Sequence, residues 1–402
     1  MKKITLCCAV TAALVNSGNT AAGGLWLNDF GDFAGGRASA GVSAGVDGAS
    51  TVAHNPASSS RVESNQLFLS GGVYLPDIKF DVKEAGPALG YNNGGDAGEI
   101  APGASMAYVH SFDDRWSGGV YLGGFAGAGL DYDDDWTGRY NATSVNLLLM
   151  MLAPTAAYRV NEHLSVGVGL QFWYSTLEQK LAVPRLDPDK PDGRAKIDGD
   201  DTGFAYTLGV LYELTERTRF GLHYQSEVKP KYDGNLKVKP SDLEVDTDTE
   251  LDMAQYARLS MHHDLDQHWG LNFTVGWDDW SELDNVFIST SEREGGIATK
   301  WRDTYHYAWG AEYRPDGKWA FTGGVSYDTN PVDADNRSPE LPVDRQIHYA
   351  LGSQYQLRDN MAVGGYLNYT DLGKARIDAR NYSGKYKHNG VLQLAVFLDW
   401  KF

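Results

Sequence analysis

Sulfur chemistry is nearly missing from this chain. Its 402 residues include 2 cysteines, Cys7 and Cys8. Both lie in the opening segment MKKITLCCAVTAALVNSGNTAA, where Lys2 and Lys3 precede an apolar run from Ile4 to Val15. Thr20, Ala21 and Ala22 then offer small residues for cleavage, so residues 1–22 read as a secretory leader. With the leader removed, disulfides, thiol nucleophiles and thiolate metal sites are all excluded. A secreted, cysteine-free chain of this size fits the bacterial envelope.

Long apolar runs are also missing. After the leader the longest is Leu147–Ala153 (LLLMMLA), far short of the roughly 20 residues a membrane helix needs. A chain of this kind can enter lipid only as a closed barrel, because nothing else but a helix satisfies every backbone group there. Positive charge is scarce too. There are 35 Lys and Arg against 53 Asp and Glu, a net charge of −18, and losing Lys2 and Lys3 makes it −20. This balance argues against nucleic acid as a partner, since phosphate binding needs a basic face.

What is abundant is glycine (46), tyrosine (23) and tryptophan (11), in a chain whose mean hydropathy is only −0.40. The aromatics fall into an alternating pattern. In LQLAVFLDWKF, Leu392, Leu394, Val396, Leu398, Trp400 and Phe402 share one parity, while Gln393, Asp399 and Lys401 share the other. Successive side chains of a strand point to opposite faces, so one face wants an apolar medium. The alternation recurs in Trp269–Trp277, Tyr305–Tyr313 and Trp319–Tyr327, often with an aromatic at each end of the apolar face. An apolar band edged by aromatics is the mark of a membrane barrel.

Fourteen such segments are predicted, at 65–75, 101–112, 116–126, 145–159, 163–177, 203–214, 217–228, 253–264, 268–279, 304–314, 318–328, 346–357, 360–371 and 391–402. Tight turns such as Asn161–Glu162 and Asp266–Gln267 alternate strictly with long connections, from 76–100 to 372–390. Short turns on one rim and long loops on the other suit a barrel whose long loops lie outside the cell. The expected fold is all-β: a 14-stranded antiparallel transmembrane barrel over residues 65–402. Segment 145–159 is the least regular, because it is apolar on both parities and contains Pro154. Residues 23–64, dense in Gly, Ala and Ser, match no strand and read either as a disordered periplasmic tail or as a plug, a hatch folded inside the lumen, where Leu25, Trp26 and Phe30 would need burying and are the candidates to line a ligand pocket.

Other chemistries find weaker signals. Gly41-Val42-Ser43-Ala44-Gly45 matches a nucleophile elbow but lacks the flanking strand and helix. His262 and His263 are adjacent in a strand and so face opposite ways. Asp131, Asp133, Asp134 and Asp135 have no EF-hand spacing. No catalytic residue, metal site or cofactor is assigned. A barrel lipid hydrolase and a general diffusion porin remain as alternatives of another class, the latter having no need of a 42-residue hatch.

The segment LNDFGDFAGGRASAGVSAGVDGASTVAHNPASSSRV, with Gly36-Arg37-Ala38 and Asn55-Pro56-Ala57, resembles the hatch of the FadL/TodX/OmpP1 family. AYRVNEHLSVGVGL (157–170), LYELTERTRFGLHYQSEVK (211–229), WDDWSELDNV (277–286) and KWAFTGGVSYDTNPVDADNRSPELPVDR (318–345) extend the resemblance along nearly the whole mature chain. The resemblance implies an outer-membrane channel for long-chain fatty acids or other hydrophobic molecules, with uncharged hydrocarbons as the alternative cargo. It also implies a lateral portal at a kinked third strand, here Trp116–Gly127 with Gly118, Gly119, Gly123 and Gly124, and the Asn55-Pro56-Ala57 turn nearby. Lys180, Arg185, Lys300 and Arg302 become candidate carboxylate anchors. The expected setting is the Gram-negative outer membrane, as a monomer among outer-membrane lipids and lipopolysaccharide.

Overall fold

The computed structural model describes residues 31–45, 48–62, 64–185, 190–290, 293–298 and 300–402. The expected leader and the pocket residues Leu25, Trp26 and Phe30 lie outside the described residues. No helix among the described residues is long and apolar enough to cross a membrane.

The chain crosses with strands instead. In order they are β1 (Gln66–Ala85), β2 (Ala101–Ser111), β3 (Trp116–Asp131), β4 (Ser144–Arg159), β5 (Leu164–Val183), β6 (Gly193–Thr215), β7 (Thr218–Gln225), β8 (Lys231–Lys239), β9 (Leu243–Glu250) and β10 (Tyr256–Asp264). They continue with β11 (Trp269–Asp278), β12 (Asn285–Thr290), β13 (Arg293–Ala298), β14 (Thr304–Tyr313), β15 (Trp319–Asp328), β16 (Gln346–Arg358), β17 (Met361–Asp371), β18 (Ile377–Asp378) and β19 (Tyr382–Lys401). Fourteen of them form one closed antiparallel ring, β1 to β7, then β10, β11, β14 to β17 and β19. The seam is the long β1–β19 ladder, running from Gln66↔Lys401 to Ala85↔Tyr382. The closing strand is the C-terminal one whose alternation is cleanest.

Alternation places each face as its side chains require. Leu394, Val396 and Trp400 are exposed on the outside, whereas Ala395 and Phe397 between them are buried toward the lumen. Aromatic neighbours edge the outer belt, among them Trp116–Tyr158 with ring centroids 4.7 Å apart and Trp269–Tyr313 at 4.6 Å. The irregular β4 makes sense on the same terms. Leu147, Leu149 and Met151 face an apolar lumen while Leu148 and Leu152 face lipid, so both parities are apolar. Pro154 pairs with Val120 of β3, but the β4–β5 ladder skips it, running from Leu152↔Phe172 to Thr155↔Gly169.

The remaining five strands lie in the long connections. β8, β9, β12 and β13 continue the top of β6 edge to edge as an extracellular extension of the wall, and the two-residue β18 pairs with β19. Segments such as LEVDTDTE (β9) carry no lipid-facing apolar parity. Standing above the bilayer they need no lipid-facing band, and the buried face of β8, with Leu236 and Val238, is too short for alternation to reveal.

Replacing Val396, which is 68% exposed in the middle of the closing strand, by Lys is expected to destabilise the barrel by about 2–4 kcal/mol. Urea unfolding in lipid vesicles measures this; a change within a few tenths would mean that this face does not meet lipid.

Candidate functional site

Inside the ring, residues 31–45 and 48–62 form a chain of short 3₁₀ turns, Phe33–Arg37, Val42–Ala44, Gly48–Ala53 and Pro56–Arg61, nearly all buried. Small residues on both partners allow the close approach. A Cβ at Gly310 would stand 2.8 Å from the Cβ of Arg37, and one at Gly352 would stand 2.9 Å from the Cα of Gly36. Gly221 likewise leaves room for Ser43, Gly209 for Asn55 and Gly167 for Ala57. Many of the chain's glycines are thus a track of missing side chains along which the hatch lies.

Polar groups hold it there. Arg37, fully buried, pairs with fully buried Glu312 of β14 at 3.0 Å. Glu312 also binds Arg314 and accepts from Asn272 Nδ2 at 3.1 Å. Gly41 N donates to Thr274 Oγ1 at 2.9 Å and Ser43 N to Ser260 Oγ at 3.1 Å, tying the middle of the hatch to β11 and β10. His54 Nε2 lies 3.2 Å from Asp32 Oδ2, joining the two ends of the segment. Ser43 Oγ donates to the backbone carbonyl of His54 at 3.5 Å, and its short turn Val42–Ala44 follows no strand, so the G-x-S-x-G match builds no elbow.

The Asn55-Pro56-Ala57 turn is self-capped, with Ala57 N donating to Asn55 Oδ1 at 3.0 Å. Asn55 Nδ2 donates to Ser43 O at 2.6 Å and to Val210 O at 3.1 Å. Its wall contacts include Gly167 of β5 and Gly209 and Val210 of β6, and Ser59 of the same 3₁₀ turn meets Ser117 of β3 at 3.0 Å. The four strand-three glycines separate into two kinds. Gly118 and Gly119 are paired on both sides, with His110 and Val109 of β2 and with Ala156 and Thr155 of β4. Gly119 makes room for Val52 of the hatch, whose Cγ1 would lie 2.9 Å from a Cβ there. Gly123 is the last residue of β3 paired with β2, opposite Ser105.

Beyond that pair the β2–β3 ladder stops. A bulge between Gly124 and Ala126 adds one residue, Phe125, to β3. The β2 side resumes only at the isolated bridge Gly98↔Leu130, with Asp131 N donating to Ala97 O at 2.8 Å. A small cavity at this gap is lined by Gly31 of the hatch together with Gly103, Ala104, Tyr121 and Gly124. Bulges redirect a strand and end its pairing.

One apolar cluster joins the hatch residues Phe33 and Val52 to Leu149, Met151, Trp173, Met253, Leu283 and Leu341. Trp280 and Trp301 meet edge-on within it at 6.1 Å. A second apolar cluster, with Phe80, Trp136, Tyr382 and Tyr386, closes the extracellular end between the long connections. Glu340 sits in this cap, 1% exposed; Gln179 Nε2 donates to its Oε1 at 3.4 Å and its Oε2 has no partner. Burial pushes its carboxyl up to about 8.

The basic candidates are dispersed. Lys180 bridges to Glu178 at 2.9 Å and is half exposed. Lys300 is exposed. Arg302 is exposed and holds Asp333 at 2.9 Å. Arg185 is half-buried just past β5, with its Nε unpartnered. Buried arginines that simple motif reading passed over are each matched: Arg37 by Glu312, Arg258 by Asp278 at 2.7 Å. His262 faces the lumen and pairs with Asp264 at 3.0 Å, while His263 binds Thr218 at 2.8 Å. Among the described residues no group of His, Cys, Asp and Glu could hold a metal.

A family model described as outer membrane protein transport protein (OMPP1/FadL/TodX) matches residues 13–395. The long-chain fatty acid transport protein of Escherichia coli K12 is 26% identical, over 93% of each chain. Outer membrane protein P1 of Haemophilus influenzae is 25% identical, over 94% of this chain and 91% of that protein. Among solved structures, a Pseudomonas aeruginosa FadL homologue superposes with a TM-score of 0.86 at 20% identity, covering 94% of this chain and all (100%) of that one. The Pseudomonas putida toluene transporter TodX gives 0.71 at 18% identity, covering 93% and 99%.

Arg37→Ala leaves Glu312 buried with one cation fewer and is expected to cost about 3–5 kcal/mol. Limited proteolysis should then cut within residues 31–62 while the barrel still runs as folded on an unheated gel. For Glu340, the folded cap keeps a proton that the unfolded chain loses near the ordinary 4.5. Cap stability should therefore fall as pH rises from about 4.5 to about 8 and level off above. Hydrogen exchange in 329–345 should report the slope, and Glu340→Gln should abolish it.

Proposed function

Since the chain belongs to the OMPP1/FadL/TodX family of outer-membrane transport proteins, we propose that it takes up long-chain fatty acids passively, by a hatch-gated route with lateral exit through the wall beside β3. It acts as a channel and not as an enzyme, as a monomer surrounded by outer-membrane lipids and lipopolysaccharide. The single observation that carries the route is the interrupted β2–β3 ladder, with its bulge at Phe125 and the hatch residue Gly31 at its inner side.

The physical reasoning starts from the cargo. Apolar chains leave water with about 0.8 kcal/mol per methylene, so a dozen buried methylenes offer roughly 10 kcal/mol before the costs of association. Capture by the apolar cluster is easy and release is the hard step. Release needs a second conformation in which the site is spoiled. The hatch is the element able to supply it, because it is held by side chains and not by the ladder. Leu25, Trp26 and Phe30 are assigned to the pocket it would carry.

A second cargo reading, uncharged aromatic or aliphatic hydrocarbons, is favoured by the dispersed, carboxylate-matched basic side chains. Competition between oleate and a hydrocarbon of equal length separates the two.

Deleting Phe125 restores a bulge-free register between β3 and β4. Uptake of labelled oleate by cells should then drop at least tenfold with the barrel still heat-modifiable. Undiminished uptake would remove the lateral exit.

A further inference from the structure

The wall has a second interruption. The β6–β7 ladder ends at Thr207↔Gln225, and one further rung joins Ser226 N to Tyr206 O and Tyr206 N to Ser226 Oγ, each at 3.0 Å. The chain then turns inward, where Val228 bridges Met253. β6 meets its next neighbour only at Asp200↔Asp233 of β8, and Lys231 N closes the top by donating to Asp201 Oδ2 at 2.7 Å. Between these limits residues 202–205 of β6 have no strand beside them on this side.

A groove of about 500 Å³ occupies the window, a volume typical of small-molecule sites. Its lining joins the two faces of the wall. Trp173 and Gly203 belong to the lumen side; Phe204, Tyr206 and Tyr224 belong to the lipid side; Lys229 stands at the rim. Phe204 is 69% exposed, and the aromatic trio marks the outer-leaflet interface. Trp173 is 6% exposed and lies against Gly203, where any Cβ would collide with the indole. Its Nε1 has no acceptor. A buried indole N–H normally finds a partner, and leaving one unsatisfied costs free energy that a bound acceptor would return.

We propose that this groove binds a single-chain amphiphile from the outer leaflet, its apolar body along Phe204 and its terminal oxygen accepting from Trp173. The site rests on the uptake reading only for its purpose, a place where a lipophile already dissolved in the leaflet meets the lumen without crossing water. Lys229, paired with Glu227 at 3.0 Å, stands at headgroup level and orients the polar end.

The test uses the full mature chain in bilayer nanodiscs with a diazirine-bearing long-chain alcohol as the probe, mapped by peptide mass spectrometry. Labelling should concentrate in 201–206 and 224–229, at least fivefold above other lipid-facing segments. Trp173→Phe, which keeps the ring and removes the donor, should lower it about fivefold for the alcohol and leave a matched diazirine alkane unchanged. Labels spread evenly round the belt would overturn the groove; an unchanged alcohol signal in the Phe variant would overturn the role of the indole. Cellular uptake is scored separately: normal uptake with no focused labelling sinks the groove alone, and focused labelling without uptake supports the groove while sinking the transport reading.

Discussion

Everything in this molecule follows from one constraint, that a strand in lipid has no water to satisfy its backbone. The β1–β19 ladder is where that constraint is met, because it turns an open sheet with two bare edges into a ring with none. Once the ring is closed, the outward parity must be apolar and the inward parity is free. Val396 and Trp400 follow the first requirement; Glu312, His306 and Asn272 use the freedom of the second.

A ring of fourteen strands creates an interior too wide for its own side chains to fill. The hatch occupies it, and the way it does so explains both the glycines and the buried charges. Wall glycines such as Gly310 and Gly352 remove the bulk that would hold the segment away. The Arg37–Glu312 pair then supplies a directional tie in a site where neither charge can find water. Such a pair is weak evidence of stability and better evidence of register, since only one placement of the hatch brings the two together.

The two places where the wall is incomplete gain meaning against that background. Unpaired backbone in lipid is costly, so an interrupted ladder at β2–β3 and another at β6–β7 are costs the fold tolerates. One adjoins the hatch at Gly31, the other joins Trp173 to lipid-facing aromatics. The proposed uptake route and groove would give both a purpose, because a molecule driven out of water travels most easily where lumen and bilayer meet.

Period-two alternation, with the strict succession of short turns and long connections, was enough to locate the wall strands, since lipid demands large apolar groups on one parity; β4, apolar on both parities, was placed by its position between turns. Composition was enough to mark residues before the first strand as something other than wall. The extracellular strands β8, β9, β12 and β13 were invisible, because strands above the bilayer need no lipid-facing band of large apolar groups; the apolar face of β8, with Leu236 and Val238, is a short one packed on Leu181 and Ile197. Which glycines matter for what was also beyond sequence: Gly119 faces Val52 of the hatch while Gly123 ends a ladder, and both sit in the same WSGGVYLGGFAG run. Alternation states which way a side chain points, a local property of the backbone. What it points at, whether the hatch, an unpaired neighbour or an orphan indole N–H, depends on strands hundreds of residues apart, and only the closed ring decides that.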